Sequence, residues 1–283
     1  MRKYFILVAA LVVSVAKLFT SCKKDEVNNN GNNSGNTENP GGGSGSGNQE
    51  YPETAVVLPN AVSNIDGNSY DAVQIGNQVW MAENLRTTKY ADGTSIPLGT
   101  SASTTTAYRY APGPNQSNEE NMVNVPRYGY LYNCPAVMHG ASSSSANPSG
   151  VQGICPTGWH VPSDAEWTEL TNYMKTQPAY MASGNADHLA KALAATWGWN
   201  SASVTDVPGN DSTTNNATGF SALPAGFYAN GYYLYFGSSA FFWSATGNFD
   251  GTACSLYLYY SRAYEDWITG NKNGGFSVRC VRD

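Results

Sequence analysis

The chain has 283 residues, a formal net charge of −6 and only 15 Lys+Arg, with no basic stripe, so it lacks the electrostatic footprint of a nucleic-acid-binding protein. Charged residues make up 13% and aromatic residues 12%, which leaves surface polarity to Ser, Thr, Asn and Gly, a composition of strands and long loops. No HExxH, GxSxG or Walker motif occurs, and His139, His160 and His188 stand in unrelated segments, so the sequence offers no catalytic set.

Met1-Arg2-Lys3 and the apolar run Tyr4–Val15 have the basic and apolar regions of a secretory signal peptide. Leu18-Phe19-Thr20-Ser21-Cys22 resembles a bacterial lipobox, which makes residues 1–21 the signal peptide and Cys22 the lipidated first residue of the mature chain. Lys23-Lys24-Asp25-Glu26 resembles the charged tag that sends lipoproteins of Bacteroides-type bacteria to the outer face of the outer membrane. Asn28–Gln49 is Asn, Gly and Ser with almost nothing apolar, and such a chain cannot bury enough surface to offset its ordering entropy. Residues 22–58 are therefore expected to be a flexible tether that holds the domain 59–283 away from the membrane.

In that domain Val62–Leu85 reads as paired strands, with turn signals at Asp66-Gly67 and Gly76-Asn77. Thr87–Asn124 is polar and aperiodic, hence mostly loop, and Arg127–Asn133 reads as a strand. Ser163 followed three residues later by Glu166 is a capping box for a helix over about Asp164–Lys175, with Trp167, Leu170, Tyr173 and Met174 on one face. A second helix is expected over Asp187–Trp197, where Leu189, Leu193 and Trp197 are four apart and Gly198 follows. Two helices beside irregular antiparallel sheets make an α+β fold.

Ala229–Asp283 crowds Tyr, Ser, Gly and Asn into strand-like segments, which is the composition of a paratope. In Ser255–Tyr259 strand alternation sends Leu256 and Leu258 to the core and Tyr257 and Tyr259 to the outer face. The expected ligand-binding residues are Tyr228, Asn230, Tyr232, Tyr233, Tyr235, Tyr257, Tyr259, Tyr260, Tyr264, Trp267 and Asn271. Contiguous exposed aromatic surface marks an interaction site. Besides Cys22 there are four cysteines, Cys134, Cys155, Cys254 and Cys280, and an even number in an oxidising compartment argues for two disulfides among three possible connectivities.

Several stretches in order carry a family resemblance: Ile65-Asp66-Gly67, Trp80–Leu85, Tyr128–Asn133, Ile154–Trp167, Gly219–Gly226, Phe242-Trp243-Ser244 and Gly275–Val281. Together they resemble the Fibrobacter succinogenes major paralogous domain. That family is similar to the C-type-lectin-like fold shared by lectins, formylglycine-generating enzymes and the variable proteins of diversity-generating retroelements. The resemblance implies a bond from Cys155, leading into the first helix, to Cys280 in the last strand. With it goes a second bond, Cys134 to Cys254, particular to this chain. The missing catalytic motifs and the aromatic, polar tract point to a non-catalytic, adhesin-like binding domain whose partner is a glycan or protein at the cell surface, and by analogy with the resembled fold Tyr228–Asn273 is a surface open to diversification. No cofactor is expected, although Asp250, Glu265 and Asp266 offer oxygens to a structural calcium. The alternatives are a structural or fimbrial accessory envelope protein and, remotely, an oxidase of the formylglycine-generating type using Cys254 and Cys280.

Overall fold

The structure, a computed structural model, describes Thr20–Ser21, Pro52, residues 55–248 and residues 251–283. The strands of the first part are β1 (Thr20–Ser21), β2 (Val56–Ser63), β3 (Ser69–Ile75), β4 (Gln78–Met81), β5 (Arg109–Tyr110), β6 (Leu131–Tyr132) and β7 (Trp159–His160). The last part adds β8 (Phe227–Ala229), β9 (Tyr232–Leu234), β10 (Ser239–Gly247), β11 (Thr252–Tyr259), β12 (Asp266–Asn271) and β13 (Val281–Arg282). Between them lie α1 (Asn118–Asn121), α2 (Val125–Tyr128), α3 (Cys134–Met138), α4 (Asp164–Met174) and α5 (Ala190–Leu193). Most of the expected signal peptide, Cys22, the tether as far as Thr54 apart from Pro52, and Asp250 lie outside the described residues. β2 already begins at Val56, inside the stretch assigned to the tether.

Gly67 and Gly76, both at positive φ, close the two expected turns and make β2, β3 and β4 an antiparallel meander. β13 then pairs with β4 and with β7, so the end of the domain closes a sheet of order β2-β3-β4-β13-β7. The second sheet is antiparallel, in the order β1-β12-β11-β10, with Thr20 and Ser21 opposite Thr269 and Ile268. The fold is α+β, mostly antiparallel, with few helices.

Alternation along the strands feeds two cores, one on each face of the second sheet. Phe241, Trp243, Ala253 and Ile268 enter one core with Tyr132, Val161 and Phe276. Ala240, Phe242, Leu256, Leu258 and Trp267 enter the other, with Trp80, Phe220 and the α4 residues Trp167, Leu170 and Met174. Trp80 and Trp167 lie 4.3 Å apart, and Phe220 is 5.6 Å from Phe242. Burying each such side chain contributes about 1.5–3 kcal/mol. Tyr173 does not join the buried face of α4; it lies outside, against Gly76, where a Cβ would approach its ring to 2.9 Å.

Two sequence expectations are corrected here. The second helix shrinks to Ala190–Leu193, because Ala194 turns extended and its neighbours pair with Ala222 across the chain: Ala195 N–H donates to Ala222 O and Ala222 N–H to Leu193 O. Arg127–Asn133 is not one strand, since Pro126 and its neighbours form α2, which Gly129 ends at φ 72° before β6 begins. Pro fits a first helical turn and cannot donate to a ladder.

Cys155 and Cys280 are joined, with 5.9 Å between Cα atoms and a sequence separation of 125. No bond joins Cys134 to Cys254. Cys254 shares the strand parity of Leu256 and Leu258 and so leaves β11 on their face, whereas Cys134 is buried in the core on the opposite face. Burial pushes the Cys134 thiol up to about 11, which keeps it protonated.

The capping box forms: Ser163 Oγ accepts from Glu166 N at 3.2 Å and Glu166 Oε2 accepts from Ser163 N at 2.9 Å. The other oxygen of Glu166 is 2.5 Å from His160 Nε2, and His160 Nδ1 is 2.6 Å from Asp283 Oδ1. A neutral imidazole has one N–H and only the imidazolium donates to both carboxylates, so this buried ring holds its proton. Burial alone would lower its pKa, but the hydrogen bonds and charges of Glu166 and Asp283 outweigh it and raise the value above 6.5. Because the folded-state value is the higher one, the clamp is fully present below the unfolded value, near 6.5, and is lost as pH rises through the folded value. Unfolding free energy measured across that window should fall in the wild-type protein and stay flat in His160→Gln; parallel profiles would mean that the ring carries no proton in the fold.

Candidate functional site

The end of the second sheet where β11 leaves and β12 enters carries the aromatic surface. Tyr257 pairs with Asp266 and Tyr259 with Ser239, so both rings stand at the closed end of the β11–β12 turn. Arg262 N–H donates to Tyr259 O at 3.1 Å, and this turn brings the guanidinium back over its neighbours. Its carbon lies 5.9, 5.8 and 6.0 Å from the ring centroids of Tyr257, Tyr259 and Tyr264. Tyr235 closes the group edge-on to Tyr259 at 6.4 Å, and Tyr260 packs on Tyr259 at 4.9 Å.

Tyr235 has φ 58°, in the left-handed region, where a bulky residue is an outlier. Its carbonyl accepts from Ser238 N and Ser239 N, and Gly226 passes so close that a Cβ there would stand 2.2 Å from Leu234 O. The turn therefore fixes where the ring points. Strain of this kind collects at functional positions. Burial raises the pKa of the Tyr257 and Tyr259 phenols, so both are neutral hydrogen-bonding groups at pH 7. Tyr235 and Tyr264 keep 38% and 45% of their surface in solvent.

The expected binding residues do not all gather here. Tyr235, Tyr257, Tyr259, Tyr260 and Tyr264 do, although Tyr257 is half-buried and stacked on Phe241 at 4.6 Å. Tyr228 and Tyr233 are core residues: they pair across β8–β9, Tyr228 stacks on Tyr110 at 3.9 Å, and Tyr233 Oη donates to Asn118 Oδ1 at 2.7 Å. Gln116 seals that face by bonding both the N–H and the carbonyl of Tyr233. Trp267 faces inward because the second sheet is covered on both sides, and Leu256 is its cross-strand partner. Asn230 and Asn271 line a small concavity with Asn273 over Phe227 and Phe276, at the other end of β12. Phe227 connects the two regions, since it also stacks on Tyr235 at 5.7 Å. Tyr232, 45% exposed, stands on the β8–β9 hairpin beside Asn230. The residue that sequence reasoning missed is Arg262. Its signal was present: a cation between Tyr257, Tyr259 and Tyr264 in a chain with few cations.

Residues 73–282 match the Fibrobacter succinogenes major domain. The chain belongs to that family. No curated protein and no solved structure matches it significantly. In this Fibrobacter succinogenes major domain the matched residues include the whole Arg262 surface, the small concavity and the Cys155–Cys280 bond. Of the two cysteines named for an oxidase of the formylglycine-generating type, Cys280 is bonded to Cys155 and Cys254 is buried. Of the oxygens considered for calcium, Asp266 Oδ2 is 3.7 Å from Arg262 Nη1, and Asp250 is outside the described residues. Among the described residues no three His, Cys, Asp or Glu side chains converge to hold a metal ion.

Proposed function

We propose that the protein is a surface lipoprotein whose C-type-lectin-like domain binds a glycan or glycoprotein without catalysis, through Tyr235, Tyr259, Tyr260, Tyr264 and Arg262. The observation that carries this reading is the partly exposed tyrosine cluster about one arginine, with Tyr235 held at φ 58°. Rings with few rotamers lose little entropy when a ligand lands on them, and their hydroxyls add hydrogen bonds. Support for the lectin-like fold comes from the α+β layout and from a disulfide joining the segment before α4 to the segment before β13. Support for the lipid anchor is the Leu18–Cys22 sequence alone, and for display outside the cell the Lys23–Glu26 tag.

Aromatic stacking needs no metal, so binding on a glycan and host-glycoprotein array should persist in the presence of a chelator. The same array should lose its signal when Tyr235 and Tyr264 are both changed to Ala. An array with no hits would remove the adhesin reading, and signals abolished by the chelator would put a metal where stacking is proposed.

A further inference from the structure

Within the proposed binding reading, on which this inference rests, we propose that the ligand is a sugar bearing a carboxylate. A stacking face alone suits neutral and charged sugars equally, because C–H bonds on one side of the ring meet the aromatic π face in both. What selects is Arg262. Its side chain is 45% exposed, it lies over three tyrosine rings, and its guanidinium makes no hydrogen bond to a described residue. The nearest carboxylate oxygen, on Asp266, is 3.7 Å away, beyond hydrogen-bond length. The planar fork therefore keeps its donors for a bidentate acceptor, the arrangement in which arginine reads carboxylates.

The surrounding rings make that fork specific for a sugar acid over a free anion. Tyr264, 45% exposed, lies beside the guanidinium with Tyr257 and Tyr259, and Tyr235, 38% exposed, packs edge-on against Tyr259. A small anion would meet the charge and leave the rings wet. A pyranose bearing a carboxylate covers both. Asp266 is the counterweight: its side chain is 39% exposed and repels an incoming anion, so it lowers affinity for sugar acids and raises selectivity for a ligand that stacks as well.

Titration of the purified full chain with sialyllactose and with a hyaluronan tetrasaccharide, against lactose and free acetate, tests this. Either acidic sugar is expected to bind well ahead of lactose and acetate. Arg262→Gln should weaken it by about ten- to a hundredfold, the range of a lost charge-assisted pair, and Asp266→Asn should tighten it by about two- to tenfold. Tightening in Asp266→Asn is the readout that a merely structural arginine would not give. Lactose bound as well as the acids, with Arg262→Gln without effect and Tyr235→Ala/Tyr264→Ala abolishing binding, would overturn the acid class and leave the aromatic binding face standing. No sugar bound by the wild-type protein would overturn the inference; the adhesin reading would then be judged by the glycoprotein arm of the array.

Discussion

Arg279→Met is expected to destabilise the fold by about 3–5 kcal/mol, because it strands several buried carbonyl groups at once. Arg279 is fully buried and ties three segments together. Nε donates to Asn84 Oδ1 at 2.8 Å, Nη1 to Met81 O at 2.8 Å and Phe220 O at 2.5 Å, and Nη2 to Ser221 O at 2.7 Å. The guanidinium also lies 4.6 Å from the Phe220 ring and 5.6 Å from that of Phe242, so the second core closes around it. Met replaces the stem but none of the donors. Arg279→Lys keeps the charge and loses the fork, so it should fall between wild type and Met. Urea denaturation with matched m-values decides; a loss below about 1 kcal/mol in Arg279→Met would mean that the carbonyls find other partners.

Loss of the Cys155–Cys280 bond is the other large effect. Its sequence separation is 125 residues, and closing a loop of that length in the unfolded chain is worth about 5 kcal/mol in the chain-entropy treatment. For a domain of this size the melting temperature of Cys155→Ala/Cys280→Ala should fall by roughly 10–20 °C. The native backbone should survive, because β13 stays paired with both β4 and β7 and His160 still bridges Glu166 and Asp283. An unchanged melting point on removal of the bond would contradict the entropic account, and an unfolded double variant at 25 °C would show that the pairing alone cannot hold β13.

The parts of this fold that were readable in the sequence are those settled within a few residues. Gly67 and Gly76 announced their turns, and Ser163 with Glu166 announced α4, because turn and cap chemistry is local. The Cys155–Cys280 pairing came from family resemblance, which local chemistry could not have supplied. The failures come from long-range partners. Leu189, Leu193 and Trp197 keep helical spacing, yet Ala222 takes the backbone bonds that would have continued α5. Tyr228 and Tyr233 look like the outer face of a hairpin until the loop carrying Gln116 and Asn118 covers them from a sequence distance of more than a hundred residues. Arg279, between Val278 and Cys280, has the opposite parity to both and was not singled out by the sequence. It is buried because the two faces of this segment lead to different cores, Val278 and Cys280 into one and Val281 into the other. The aromatic surface was legible in composition and only half legible in position, since alternation states which side chains share a face but not whether that face is covered.

The most direct test of the division between face and core compares two tyrosine pairs, Tyr235→Ala/Tyr264→Ala and Tyr228→Ala/Tyr233→Ala, by melting and by binding to the same glycan and glycoprotein array. The exposed pair should lose binding by about tenfold or more with its melting temperature nearly unchanged, while the buried pair should lose several kcal/mol of stability. Binding that survives the loss of Tyr235 and Tyr264, or a melting point that collapses with them, would contradict the assignment of this surface as the ligand site.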